Sequence, residues 1–211
     1  MNFFISQLFE NPSFFFSVII LVVFSVCCHE YAHAWMALHE GDETAARNGH
    51  LTLNPLKQMG IFSLVMLLFL GITWGSVPVN PRNMRRRHSA ALVAFAGPFA
   101  NLTLFLIFCF LSALAESKGG AIGRSAFAFF FIGASLNAIL FIFNMMPIPI
   151  LDGFTIFSHL FPSLSKINQE VRNGMIFLIF MLVFFSFSYI QSAGFFITGI
   201  VQGFFLKFLV G

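Results

Sequence analysis

Residues 13–34 read SFFFSVIILVVFSVCCHEYAHA, and this stretch determines the class of protein to which the chain belongs. Positions 13–28 carry no acidic or basic side chain. A helix needs about 20 apolar residues to cross about 30 Å of hydrocarbon. Because backbone polar groups must find their partners inside the helix when lipid surrounds it, the stretch predicts a membrane-spanning α-helix. Its histidines and its one acidic residue, His29, Glu30 and His33, lie near its C-terminal end.

Three further stretches have the same character, at residues 89–115, 125–146 and 175–210. The last is long enough for one tilted helix or for two short helices that break near Gly194. Only 9% of the 211 residues are charged and 58% are hydrophobic, whereas soluble domains carry about 25% charged residues. We therefore expect an all-α polytopic membrane protein, one domain over residues 1–211, with about four to six transmembrane helices.

The sequence between the first two long stretches does not predict a membrane-spanning helix. Residues 61–74 are apolar, but a helix of that length reaches only about 21 Å. Residues 51–53 and 77–79 each precede an Asn-Pro pair, a pattern typical of short strands that end in turns. Pro78 restricts the second strand to a sheet edge. The sequence thus predicts a short membrane-associated β-hairpin or a re-entrant segment.

The residues at 29–33, HEYAH, form an H-E-x-x-H motif. Positions i and i+4 share a helix face, so His29 and His33 can bind one Zn²⁺, and Glu30 can act as general base toward the attacking water. The alternative is that the helix has already left the membrane at His29. Residues 34–38 remain apolar, which favours a motif inside the membrane boundary, where ionisable groups need a functional reason.

A catalytic zinc site requires a third protein ligand. The chain contains two aspartates, Asp42 in a polar loop and Asp152 after the apolar run that ends at residues 144–151. Pro147 and Pro149 break that run, and broken backbone at membrane depth must face protein or a wet cavity. Asp152 is a candidate ligand on this ground, although the segment alone is more typical of an ordinary turn at a helix end.

Three motifs together resemble the site-2 protease family of intramembrane metalloproteases, namely residues 29–33, 96–101 (AGPFAN) and 144–153 (NMMPIPILDG). LTLNP and VPVNP resemble its short branch, which lacks a PDZ insert. The resemblance implies one Zn²⁺ per chain on His29, His33 and Asp152, with Glu30 catalytic. It also implies cleavage of membrane-protein substrates within or near their transmembrane segments. Residues 57–59 (KQM) depart from the His and Asp-Pro that many members carry there.

The shared metal site also predicts topology. The helix of His29 and the helix that precedes Asp152 must run parallel, and the helix at 89–115 supplies the one crossing between them. Residues 61–74 then dip into the membrane and return, which places the loop with Arg82, Arg85, Arg86 and Arg87 on the side of the site. Arginine clusters favour the cytoplasmic side. We expect a multi-pass protein of a bacterial plasma membrane, with its active site toward the cytoplasm.

Asn144 has two interpretations, an interhelical hydrogen bond or a donor to the oxyanion that forms during cleavage. Asn101 is expected to pack helices together, and we expect His39, His50, His88 and His159 to be ordinary interfacial residues. The expected partners are the lipid bilayer and a substrate helix, without nucleic acid, and the sequence carries no signal for an oligomeric state. Alternative functions are a zinc-binding membrane transporter and a catalytically inactive protease-like protein.

Overall fold

The computed structural model describes residues 3–164 and 168–210. No strand occurs in that part of the chain, and two short 3₁₀ turns lie at Phe4–Ser6 and Pro81–Asn83. Its α-helices, in chain order, are α1 (Gln7–Glu10), α2 (Pro12–His39), α3 (Thr44–Arg47), α4 (Pro55–Gln58), α5 (Gly60–Leu70), α6 (Ser89–Lys118), α7 (Gly120–Asn144), α8 (Asp152–Leu160) and α9 (Gln169–Val210).

Four stretches of helix within the described residues are long and apolar enough to cross a membrane: Pro12–His39, Ser89–Lys118, Gly120–Asn144 and Ser188–Val210. The protein is therefore a multi-pass α-helical membrane protein, as predicted. The last apolar stretch belongs to one helix, because α9 continues through Gly194.

Local sequence explains where the long helices begin. The Asn11 side chain accepts a hydrogen bond from the Phe14 N–H, and Pro12 occupies the first turn of α2, where its missing N–H costs nothing. Gly119 and Gly120 separate α6 from α7 with φ values of +62° and +72°, a backbone conformation that glycine adopts without steric cost. Helix α7 consequently begins at Gly120, five residues before the predicted start at Ser125.

Helix α6 lies at the centre of the bundle, against α2, α7, α8 and α9. The core around it contains Leu21 of α2, Phe105 and Phe108 of α6, and Ala134 of α7. Gly133 allows α7 to approach closely, since a Cβ there would meet the side chains of Leu21 and Phe108. This packing fixes the positions of α2, α6 and α7, the helices that carry most of the site described below.

Helix α5 is too short to cross a bilayer. Its 11 residues extend about 16 Å, and the chain then turns at Gly71, whose φ is +72°. Ser63 of α5 holds the returning segment, because its Oγ accepts from the Trp74 N–H at 3.0 Å and donates to the Trp74 carbonyl at 2.7 Å. The chain therefore doubles back along α5, and insertion of this segment into the membrane stays a prediction.

The predicted strands at 51–53 and 77–79 were wrong. Both segments lie in irregular structure, and isolated hydrogen bonds from Gln58 replace the ladder of a partner strand. The side-chain amide of Gln58 donates to the carbonyls of His50 and Thr52 at 2.8 and 2.6 Å, and the backbone carbonyl of Gln58 accepts from the Ser76 N–H at 3.0 Å. Gln58, which is buried, thus joins residues 50–52 to the segment at Ser76 without a β-ladder.

Candidate metal centre

The structure brings His29, His33 and Asp152 together. The two histidines lie one turn apart on α2, and their Nε2 atoms are 3.0 Å from each other. One carboxylate oxygen of Asp152, the first residue of α8, lies 3.1 Å from the His29 Nε2 and 3.3 Å from the His33 Nε2. Both histidines are buried, whereas Asp152 is partly exposed. The C-terminal ends of α2 and α7 therefore meet on one side of the bundle.

Hydrogen bonds to the opposite ring nitrogens fix the orientation of both imidazoles. The Nδ1 of His33 lies 2.7 Å from the Val93 carbonyl, and the Nδ1 of His29 lies 2.6 Å from the side-chain oxygen of Asn101. A carbonyl oxygen can only accept, so each Nδ1 carries the hydrogen. In its neutral form, the state that binds a metal ion, each ring then presents the lone pair of Nε2 to the cluster.

With both rings in their neutral form, the cluster consists of three acceptors that face one another, namely two Nε2 lone pairs and one carboxylate oxygen. Nitrogen lone pairs and a carboxylate oxygen repel at these distances unless a cation lies among them. Two imidazoles and one carboxylate form a ligand set that suits Zn²⁺ and leaves a fourth position open. The residues present therefore fit a zinc ion.

Gly97 of α6 keeps the space beside the two rings open. A Cβ at this position would overlap the His33 Nε2 and would lie 2.6 Å from the His29 Nε2. Only glycine lets α6 pass this close to the metal-facing edge of both histidines. The glycine of the AGPFAN motif thus has a steric role at the site.

The residues on either side of Asp152 have unusual backbone geometry or close backbone contacts. Ile150 has a φ of +93° and is the one non-glycine residue of the described chain with a positive φ, a conformation that β-branched residues rarely adopt. Gly153 lies directly against the backbone of Met145 and Met146, where a Cβ would collide with the Met146 carbonyl. The glycine after Asp152 therefore permits α8 to begin against the end of α7.

Glu30 and Asn144 line the same cavity as the three clustered residues, and this cavity has a volume of about 520 Å³. Glu30 is 7% exposed, and Gly75 lies so close to it that a Cβ at 75 would overlap its carboxylate. The segment after α5 therefore covers Glu30 directly. Asn144, the last residue of α7, donates one amide hydrogen to the Leu140 carbonyl of its own helix at 3.1 Å, not to a neighbouring helix.

Three polar residues have partners that the sequence did not reveal. Asn101 bonds across helices as expected, but its partners are His29 and Asn137. Gln58, within the departure at 57–59, anchors the segment that leads to Gly75. Asp42 is fully buried and accepts hydrogen bonds from Thr44, Asn80 and Asn83, away from the metal cluster.

The remaining histidines lie outside the cluster. The Nδ1 of His39 lies 3.0 Å from the Trp35 carbonyl, and the Nδ1 of His50 lies 3.2 Å from the side-chain oxygen of Gln58. His88 and His159 contact each other, with 2.6 Å between the Nδ1 of the first and the Nε2 of the second. None of the four joins the group of possible metal ligands found in the described residues.

Comparison with known proteins gives matches of one kind. The model of peptidase family M50 matches residues 113–187, a range that contains Asn144 and Asp152. "Putative zinc metalloprotease YwhC" of Bacillus subtilis is 36% identical over 173 residues, which are 79% of this chain and 79% of the relative. "Putative zinc metalloprotease Rip2" of Mycolicibacterium smegmatis is 30% identical over 186 residues, 82% of this chain and 70% of the relative. No solved structure matches the chain significantly.

Proposed function

The chain belongs to peptidase family M50, the site-2 proteases, and from that premise we propose that it is a zinc metalloendopeptidase acting inside the membrane. It cleaves peptide bonds within or near the transmembrane segments of other membrane proteins. The observation that carries this proposal is the convergence of His29, His33 and Asp152 beside Glu30 in one cavity of a multi-pass helical bundle.

The proposed metal ligands are the Nε2 atoms of His29 and His33 and the carboxylate of Asp152, with one ion per chain. A zinc ion bound there supplies Lewis-acid chemistry, polarising a carbonyl and promoting the ionisation of water. The Val93 carbonyl and Asn101 hold the imidazoles in the orientation that binding requires. Such outer partners typically change metal affinity about 10–100-fold when they are removed.

Glu30 is the proposed general base. It follows His29 directly on α2, and its carboxylate faces the cavity that the three ligands line. In that position it accepts a proton from the attacking water and delivers it to the leaving amine. Its burial under Gly75 keeps bulk water away from the carboxylate.

Asn144 is the proposed donor to the developing oxyanion. One of its amide hydrogens bonds the Leu140 carbonyl, and the second is not used in that bond. Since an amide carries two hydrogens, the Leu140 carbonyl can hold the side chain in place while the second hydrogen bonds substrate. A donor prepositioned in this way stabilises the charge that develops during the reaction.

The substrate is proposed to bind along residues 75–79. The Ser63 hydroxyl bonds the N–H and the carbonyl of Trp74, and the backbone carbonyl of Gln58 accepts from the Ser76 N–H. In the proposed complex the segment is extended, so that alternate residues direct their N–H and C=O groups to opposite sides and those of Gly75 and Val77 face away from Ser63 and Gln58. A locally unwound substrate helix can add there as a strand and bring its peptide bond to Glu30.

The surroundings of the site support a cytoplasmic orientation. Arg82, Arg85, Arg86 and Arg87 are all exposed on the loop before α6, at the end of the bundle where Val93 meets His33. Basic loops favour the cytoplasmic side. We therefore place the protein in a bacterial plasma membrane with its active site toward the cytoplasm and the lipid bilayer around α2, α6, α7 and α9.

Co-expression tests the proposal. Single-pass membrane proteins with a different tag at each end are expressed with the wild-type chain, with Glu30→Gln, or with Glu43→Gln as the matched control at an exposed glutamate. We expect cleaved fragments with the wild type and with Glu43→Gln but not with Glu30→Gln, because an amide cannot accept the proton. Equal cleavage by Glu30→Gln would exclude the proposed base. Zinc uptake into vesicles without any cleavage would favour a transporter instead.

A further inference from the structure

A row of buried polar side chains extends from the metal cluster into the membrane-spanning core. Asn101 of α6 and Asn137 of α7 are both 0% exposed, as is Ser25 of α2. The Asn101 amide nitrogen lies 3.0 Å from the Asn137 side-chain oxygen, and the Asn137 amide nitrogen lies 2.8 Å from the Ser25 hydroxyl. The same nitrogen lies 2.9 Å from the Gly133 carbonyl.

The Gly133 carbonyl determines the direction of every bond in this row. A carbonyl only accepts, so the Asn137 side chain must turn its NH₂ toward Gly133 and its oxygen toward Asn101. Asn101 must then donate to Asn137 with its own NH₂, which leaves its oxygen facing the Nδ1 of His29. His29 must consequently donate from Nδ1, and its neutral ring then keeps the lone pair of Nε2 for the cluster.

We propose that Asn137 is a positioning residue for the metal centre, which it reaches through Asn101 without contacting a ligand itself. This inference rests on the proposed zinc site and adds a residue that its motifs do not contain. Without Asn137, the Asn101 amide can rotate and turn its NH₂ toward His29. The ring would then accept at Nδ1 and carry its hydrogen on Nε2, where a metal cannot bind.

A purely structural role makes a different prediction. Buried amides in membrane proteins also hold helices together, and Asn137 in that role would affect stability but not the zinc site. Ser135 provides the matched control, because it lies on the same helix, is 1% exposed, and has its hydroxyl 2.9 Å from the Phe131 carbonyl and 3.2 Å from the Thr198 hydroxyl of α9, away from the site. Loss of its hydroxyl removes a comparable buried bond.

The test is a double-mutant cycle on zinc affinity. Affinity is measured by chelator competition on the purified full chain in detergent, for wild type, Asn137→Leu, Asn101→Ala and the double variant. Asn137→Ala repeats the cycle with a smaller side chain, and thermal unfolding of the zinc-free proteins reports the fold. The visible absorption of the Co²⁺-substituted proteins reports ligand geometry independently of cleavage.

We expect Asn137→Leu to lower zinc affinity about 10-fold or more and to change the Co²⁺ spectrum, while Ser135→Ala leaves both unchanged. In the Asn101→Ala background, Asn137→Leu should have no further effect, because its influence passes through Asn101. Unchanged affinity in Asn137→Leu and Asn137→Ala, or a full additional loss in the double variant, would overturn the inference while the proposed function stands. A wild-type chain that binds no zinc would contradict both.

Discussion

At the scale of single residues, two glycines determine how closely the backbone approaches the reacting groups. Gly97 lies against the metal-facing edges of His29 and His33, and Gly75 lies against the carboxylate of Glu30. Neither φ lies in the left-handed region, so the requirement for glycine is steric rather than conformational. The proposed roles of His29, Glu30 and His33 therefore depend on neighbours that lack a side chain.

Gly97→Ala is expected to abolish most zinc binding. The added methyl group would occupy the space at the His33 Nε2 and push α6 away from α2. Bound zinc per chain, measured on purified protein, should fall to near zero. Gly199→Ala is the control, because nothing lies within 4 Å of a Cβ there, and it should retain zinc. Full retention by Gly97→Ala would show that the metal lies elsewhere.

Asn144→Ala is expected to keep zinc and the fold but to lower cleavage about 100-fold. Asn144→Asp should do no better, since a carboxylate repels the developing negative charge. The rate of fragment formation, at equal zinc content, provides the comparison. If Asn144→Ala cleaves at the wild-type rate, the residue serves only to cap the last turn of α7.

The residues of the site differed in how far sequence could predict them. His29, Glu30 and His33 follow from the H-E-x-x-H motif on a helix, because their geometry is local. Asp152 lies far along the chain, and its place beside the histidines depends on helix packing, so the resemblance to a family was needed to choose it over a simple turn. The bond from Asn101 to His29 depends on side-chain directions that no local pattern encodes.

At the scale of elements, α5 and the segment that returns along it form the cover of the site. The two hydrogen bonds between Ser63 and the Trp74 backbone hold this segment in place. The next residue, Gly75, then lies over Glu30. The sequence predicted an apolar segment at 61–74 that is too short to cross the membrane, but not the absence of strands on either side of it. The Gln58 side chain donates to backbone carbonyls that a neighbouring strand would otherwise bond. An alternating apolar pattern in the sequence does not indicate which of the two will occur.

Ser63→Ala is expected to lower cleavage about 10-fold or more without reducing bound zinc, because small displacements at a site can cost that much. The hydroxyl is 1% exposed and its loss frees the segment at Trp74. Ser112→Ala, at another fully buried serine, is the control and should cleave normally. Wild-type cleavage by Ser63→Ala would mean that the segment needs no such anchor.

At the scale of the whole molecule, hydrogen bonds connect the loop after α2 with the loop before α6. Asp42, after α2, accepts from the Asn80 backbone and the Asn83 side chain, and Glu40 accepts from the Ser89 hydroxyl. The loop after α2 and the loop before α6 must therefore lie on the same side of the membrane. The turn at Gly119 lies at the other end of α6.

Cysteine labelling tests this topology. In a background without Cys27, Cys28 and Cys109, single cysteines at Glu43 and Arg87 should react with an impermeant maleimide from the same side, the cytoplasmic one. A cysteine at Lys118 should react from the opposite side. Labelling of Glu43→Cys and Arg87→Cys from opposite sides would mean that the chain crosses the membrane at α5.

Stoichiometric reactivation tests the central claim most directly. The purified chain is stripped of metal with a chelator, returned to lipid with a transmembrane substrate that it cleaves, and titrated with zinc while fragments are counted. Cleavage should be absent without metal and should rise to a plateau at about one zinc ion per chain. Glu30→Gln should bind the same ion and stay inactive. Full cleavage by the metal-free chain, or cleavage by Glu30→Gln at the wild-type rate, would contradict the account.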